Sequence, residues 1–170
     1  MPKGLKGTSS TVAIGFTAAE TAPNTFAQAS VDLNLDPLNR EVFVVMAIDL
    51  DVGPCDAITA TNTSMNASLT TTSQTAVATL ANANCLAIAH RQIRAAGFTD
   101  GGVAFQQSAN ESPSSLLEYL GIIATNDFFV QVKGDGNAGP HDVTGKLYGY
   151  RAQASADIYA ALVQSEVLSA

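Results

Sequence analysis

The run from Glu41 to Val52, Glu-Val-Phe-Val-Val-Met-Ala-Ile-Asp-Leu-Asp-Val, constrains the fold more than any other stretch. It is the most apolar and most β-branched segment of the chain. In an extended chain, Val42, Val44, Met46, Ile48, Leu50 and Val52 share one face. Phe43, Val45 and Ala47 share the other, until Asp49 and Asp51 take that face over. Such a strand starts buried on both sides and ends with one side in water. That pattern describes a central strand of a sheet that emerges at an edge or a loop.

The rest of the chain reads as short strands and turns. Thr11–Thr17 is apolar enough for a first strand. Phe26–Leu35 alternates most clearly, with Ala27, Ala29, Val31, Leu33 and Leu35 opposed to Gln28, Ser30, Asp32 and Asn34. Asp36-Pro37-Leu38-Asn39 is turn chemistry, so this strand is expected to pair antiparallel with the Glu41 strand. Residues 56–66 read as a long polar loop and residues 67–73 as an extended, Thr-rich segment. Cys85–Arg94 fits both periods, with Leu86, Ala89 and Ile93 at helical spacing and Leu86, Ile88 and His90 at strand spacing. Asn82 and Asn84 just before it and its short length favour a strand, and Val103–Gln107 reads as a shorter one. Ser108–Ser115 is a polar loop, Leu116–Ala124 is extended through Ile122-Ile123, and Phe128–Lys133 alternates again. Gly134–Asp142 is turn-forming throughout, and Val143–Gln153 is the last long strand.

The tail differs. Ser155 can cap a helix with Asp157 in its first turn. Ile158, Leu162 and Glu166 form one stripe, with Tyr159, Val163 and Val167 beside it. A short helix near residues 155–168 is expected, plugging one open end of the sheets or offered to a neighbouring subunit. Residues 1–10 read as a flexible arm and residues 11–170 as a single domain. The class is all-β, an antiparallel sandwich or barrel.

Composition narrows the function. Charged residues make up only 14% of the 170 residues, where about 25% is typical. Charge-poor surfaces suit faces covered by partners. The formal net charge of −7 argues against direct nucleic-acid binding, because phosphate recognition needs a basic footprint. Lys3 and Lys6 are a solvated tail on this reading. The start lacks the apolar core of a signal peptide, and no apolar run reaches a membrane span. Synthesis in a cytoplasm is expected. Cys55 and Cys85 lack motif spacing and read as buried thiols.

No catalytic motif stands out. His90 and His141 sit apart from any carboxylate at a motif spacing. A Gly-x-Ser-x-Gly elbow and a phosphate-binding Gly-rich loop are both missing from the sequence. The chain is not expected to be an enzyme, and no cofactor is expected. The candidates for a metal site are Asp32, Asp36, Asp49 and Asp51. Carboxylates converging from two strand ends could hold Ca²⁺; the plainer reading is two wet sheet faces. Asp135-Gly136-Asn137-Ala138-Gly139 opens like a calcium loop but lacks its later ligands, and reads as a hairpin turn.

The order of short strands, the doubly buried strand at Glu41–Val52, the low charge and the closing helix together resemble small single jelly-roll structural proteins of icosahedral viruses. Ile122 to Val132, followed by Leu147-Tyr148-Gly149-Tyr150-Arg151, resembles two paired sandwich strands of such shells. The resemblance implies a jelly roll of about eight strands. It also implies a capsid or decoration subunit located in the virion, which self-assembles as a homo-oligomer with other shell proteins. Two alternatives remain: a monomeric β-sandwich module binding carbohydrate or calcium, and an extracellular fibre subunit.

Overall fold

Strands with one apolar face need a second apolar layer, and this chain supplies it by folding into two facing antiparallel sheets. The structure, a computed structural model, describes residues 2–97, 105–110 (as backbone) and 117–169. Its strands are β1 (Leu5–Gly7), β2 (Val12–Ala19), β3 (Ala27–Asp32), β4 (Glu41–Val52), β5 (Thr63–Thr70), β6 (Cys85–Arg94), β7 (Phe105–Asn110), β8 (Gly121–Ile123), β9 (Asp127–Asp135) and β10 (Asp142–Ala154). Helix α1 (Ala156–Leu168) follows directly. In the first sheet β10 is central. It pairs with β4 on one side, and with β2 and then β1 on the other; β8 pairs on the far side of β4. The second sheet runs β3-β9-β5-β6-β7.

Leaving aside the short β1 and the edge strand β7, the two orders are β2-β10-β4-β8 and β3-β9-β5-β6. Successive strands β2 to β5 alternate between the sheets, β6 pairs with β5 in the second sheet, and β8 to β10 alternate again to lie beside them. This is the eight-stranded jelly roll of two Greek keys.

The interior is apolar and closely filled. Phe16, Phe43, Met65, Phe128 and Leu147 meet between the sheets, with Val45, Leu50, Leu69, Val130 and Val132 around them. The rings of Phe16 and Phe128 stand edge to face, 5.6 Å between centroids. Gly145 and Gly149 on β10 give the rings room. A Cβ at Gly145 would strike the Phe16 ring, and one at Gly149 would strike the Phe43 ring.

β4 spans the range its apolar run predicts, but its alternation is broken. Tyr148 pairs with Ala47 while Gly149 pairs with Val45, so Met46 is an extra residue in a β-bulge. The bulge switches faces. Phe43 and Val45 point into the sandwich, and so do Leu50 and Val52 further along. Val42 and Val44 point to the outer side of the first sheet, as Asp49 and Asp51 do beyond the bulge. Regular alternation, which puts Val42, Val44, Leu50 and Val52 together, is therefore corrected.

Other expectations change for physical reasons. β3 and β4 do not pair: β3 pairs with β9, and β4 with β10 and β8. Residues 33–40 carry the chain from one sheet to the other, with Asn34 and Arg40 at positive φ (50° and 54°). Arg151 of β10 holds this crossover, donating to the carbonyls of Leu33 (2.6 Å) and Asn34 (2.9 Å) and to the Glu41 carboxylate (3.0 Å). The expected flexible arm includes a strand, since Leu5–Gly7 pairs with Ala152–Ala154 and Leu5 is buried. The expected loop at 56–66 already becomes β5 at Thr63, where Met65 is fully buried. β9 runs on to Asp135, into the expected turn. Residues 108–110 belong to β7, and the rest of the expected 108–115 loop lies outside the described residues, as do Val103 and Ala104.

The helix does not plug an end of the sandwich. It lies on the outer side of the first sheet, where Ile158, Tyr159, Leu162 and Val163 cover Leu5, Val42, Val44, Ala152 and Ala154. Val167 is 60% exposed, outside the expected stripe contact. Ser155 is the N-cap residue but makes no side-chain capping bond.

Candidate functional site

The four candidate aspartates are not brought together. Asp32 ends β3, where its Oδ1 accepts from the Asn34 N–H (2.7 Å) and from Asn126 Nδ2 (2.7 Å). Asp36 builds the crossover turn. Its Oδ1 accepts from the Leu38 N–H, its Oδ2 from Asn39 Nδ2, and the Asn39 bond chiefly holds its carboxyl below the usual range. Asp49 and Asp51 lie at the other end of β4. Eight residue steps along the strand lead from Glu41, beside Asp36, to Asp49, roughly 26 Å. Asp51 instead pairs with Arg91 of β6 at 3.0 Å. The converging ion site is therefore not formed. Among the described residues, no group of three or more His, Cys, Asp or Glu assembles as a metal-binding set. Cys55 and Cys85 are free thiols, and burial pushes the Cys85 thiol up.

A polar cluster that sequence reasoning missed closes one end of the sandwich. Glu20, at the end of β2, is buried. Its carboxylate accepts from the N–H of Gly134 (2.7 Å) and of His141 (3.0 Å). Asp56 accepts from the N–H of Ala138 (2.9 Å) and Gly139 (3.1 Å). Those bonds, the Gly139 one foremost, and the nearby His141 ring hold the Asp56 carboxyl below its ordinary value. Asn137, also buried, accepts from the Asp56 N–H and donates to the Ser64 carbonyl. His141 Nε2 is buried 3.3 Å from Asp56 Oδ1 but is not aligned for a hydrogen bond. These carboxylates bind backbone N–H groups at the end of β9 and in the β9–β10 turn. Their work is to clamp loops, and the predicted hairpin at residues 135–139 is what they hold.

A second missed acid sits at the opposite end. Glu166 of α1 is 6% exposed, and its two oxygens accept from the N–H of Ala124 (3.0 Å) and Thr125 (2.9 Å) in the β8–β9 turn. Burial pushes its carboxyl up, against the lowering effect of those bonds. An acid on the apolar stripe of Ile158 and Leu162 was its visible signal. Beside it a groove of about 610 Å³ is lined by Leu35, Pro37, Thr125, Asn126, Tyr159 and Val163, among others.

The large exposed apolar side chains lie at turns, the Met46 bulge, strand ends and the helix end. Leu38, at the tip of the sheet-to-sheet crossover, is 93% exposed; Val167 and Leu168 end the helix. The half of the first sheet's outer side that α1 leaves open presents the small residues Ala13, Gly15, Thr17, Ala47 and Thr144, together with Tyr148, Lys146, Asp49 and Asp51. Among the described residues no helix is long and apolar enough to cross a membrane.

What the fold defines at this point is a jelly-roll sandwich with clamped ends and a helix laid on one outer side. No protein-family model and no curated protein matches the chain.

Proposed function

We propose that the chain is a structural subunit of a virion shell, a capsid or decoration protein. It works by self-assembly with copies of itself and with other shell proteins, and it catalyses no reaction. The observation that supports this reading is the strand order, β2-β10-β4-β8 facing β3-β9-β5-β6. Capsid proteins share that order with lectins and cupins, so the step from fold to function is one of analogy. The packing favours the shell among the three. Phe16, Phe43, Met65, Phe128 and Leu147 fill the space between the sheets that a ligand chamber would need. Leu38, Val167 and Leu168 are apolar side chains that a neighbour would cover.

On this reading the subunit is made in a host cytoplasm and resides in the virion. It needs no cofactor and does not touch the packaged nucleic acid. The contact between copies is modest and is repeated by symmetry. Each copy carries −7, so salt or divalent cations should favour assembly by screening like charge. Light scattering with electron micrographs of the purified protein, at rising salt and with added Ca²⁺, tests this. Shells, rings or filaments that increase with ionic strength are expected. A 17.5 kDa monomer in every buffer, or particles that dissolve as salt rises, would contradict self-assembly.

A further inference from the structure

The segment joining β5 to β6, residues 71–84, is folded across the outer side of the second sheet. Along one half it is bonded down. The Ala78 N–H donates to Ser68 Oγ (2.9 Å), and the Gln74 N–H donates to Gln28 Oε1 (2.8 Å). Beneath it Ser68 donates to Gln131 Oε1 (2.7 Å), and Gln131 Nε2 donates to Thr70 Oγ1 (2.7 Å) and Gln28 Oε1 (3.0 Å). Ser68, Thr70 and Gln131 are fully buried, and this half of the cover is a satisfied polar network.

Along the other half the cover stands away from the sheet and leaves a cavity of about 410 Å³. One cross-strand row lies beneath it. Lys133 of β9 pairs with Asn66 of β5, and Asn66 pairs with His90 of β6. Directly paired residues share a face, with Cβ atoms about 5 Å apart. The three therefore present an ammonium, an amide and an imidazole side by side. No carboxylate among the described residues lines the cavity; the exposed Asp135, opposite Ser64, stands one row further on. Among the described residues, Lys133 and His90 have no hydrogen-bond or ion-pair partner. The walls and roof are mainly apolar: Ala76, Val77, Ala78 and Ile88, with Thr79 as their one hydroxyl among the described residues.

We infer that this roofed row is a binding site for a carboxylate carried on a short aliphatic body. The donors set the charge. Each side chain of the row carries an N–H donor, and the lysine brings a positive charge. The walls set the rest of the ligand, because an apolar roof suits methylene groups and cannot solvate a doubly charged phosphate. The site lies on the opposite outer side from α1 and is independent of the proposed shell role.

Titration of the isotope-labelled protein with butyrate, followed by NMR at constant ionic strength, tests the assignment. Saturating shifts at His90, Asn66, Lys133 and Val77 are expected, with a Kd of about 1 mM for so small a ligand. Lys133→Met should weaken binding at least about ten-fold, the scale of one charge-assisted bond. Lys146→Met, the same charge change on the opposite sheet, should leave it unchanged. Shifts that match those produced by chloride or butylammonium would overturn the inference. So would equal weakening by the two variants, or butyrate binding to Lys133→Met as to the wild type.

Discussion

β4 is shared by two apolar regions that differ in how they are closed. Phe43 and Val45 look into the sandwich, where the opposite sheet meets them with Phe128, Val130 and Met65. Val42 and Val44 look outward, where one helix meets them. Both pairs are fully buried. The inner region is closed on its two faces by sheets whose strand hydrogen bonds are already satisfied in ladders. The outer region is closed by an element with no side-chain N-cap bond and no basic residue in its last turn. The one buried residue of that helix is an acid. Equal burial therefore does not mean equal stability. The inner core holds the fold, and the outer one is a cover latched at its end by Glu166.

The largest expected effects come from the register of β4 itself. Deleting Val44 would turn Val42 and Phe43 to the wrong sides, and we expect the chain not to fold. Deleting Met46 removes the extra residue of the bulge and leaves every other side chain on its own face. That variant should fold, which circular dichroism and thermal melting of the two deletions will show. Phe43→Ala, in the inner region, should cost about 3–5 kcal/mol in denaturant unfolding. Glu166→Ala leaves the buried N–H of Ala124, and that of Thr125, without an acceptor and should cost about 1–3 kcal/mol. Its loss should appear as helix signal that melts before the strands. Arg91→Ala, which breaks an exposed ion pair, should change stability by less than about 1 kcal/mol, and less still in high salt.

The two ends of the molecule should also respond to pH in opposite directions. Burial raises the Glu166 carboxyl above its ordinary 4.5, so folding takes up a proton between that value and the raised one. The stability of the docked helix is complete below pH 4.5 and declines as pH rises through the raised value. Glu166→Gln should remove that dependence. Backbone N–H groups lower Asp56 from its ordinary 3.8, so its contribution is complete above that value and is lost as pH falls through the lowered one. A pH series of amide exchange at the β9–β10 turn and at α1 separates the two.

The inner region was the legible one. β4 begins and ends where its apolar run does, and β6, whose residues fit both periods, is marked as a strand by Asn82 and Asn84 before it and by its length. The Met46 bulge was not legible: it exists only in the register between β4 and β10, and Met fits either face. The partner of β3 was equally hidden, since the turn at Asp36–Asn39 looks the same whether it returns the chain to its own sheet or passes it to the other. Three-residue β1 carries one apolar side chain, too few for a period. Of the candidate site residues, the four aspartates were visible as charges, but their separation is a property of the topology. Glu20 and Asp56 take their partners from the distant end of β9 and the β9–β10 turn, and Glu166 from the turn between β8 and β9; spacing along the chain does not reveal such partners. The Lys133, Asn66 and His90 row depends in the same way on the pairing of three strands.

Hydrogen exchange of the native protein tests the two-region description most directly. We expect the amides of α1 to exchange through a local opening, faster than those of β4, β9 and β10. Glu166→Ala should speed α1 further while leaving β9 unchanged. If α1 and the central strands exchange at one common rate in both proteins, the helix is an inseparable part of the core and the contrast between the two regions is wrong.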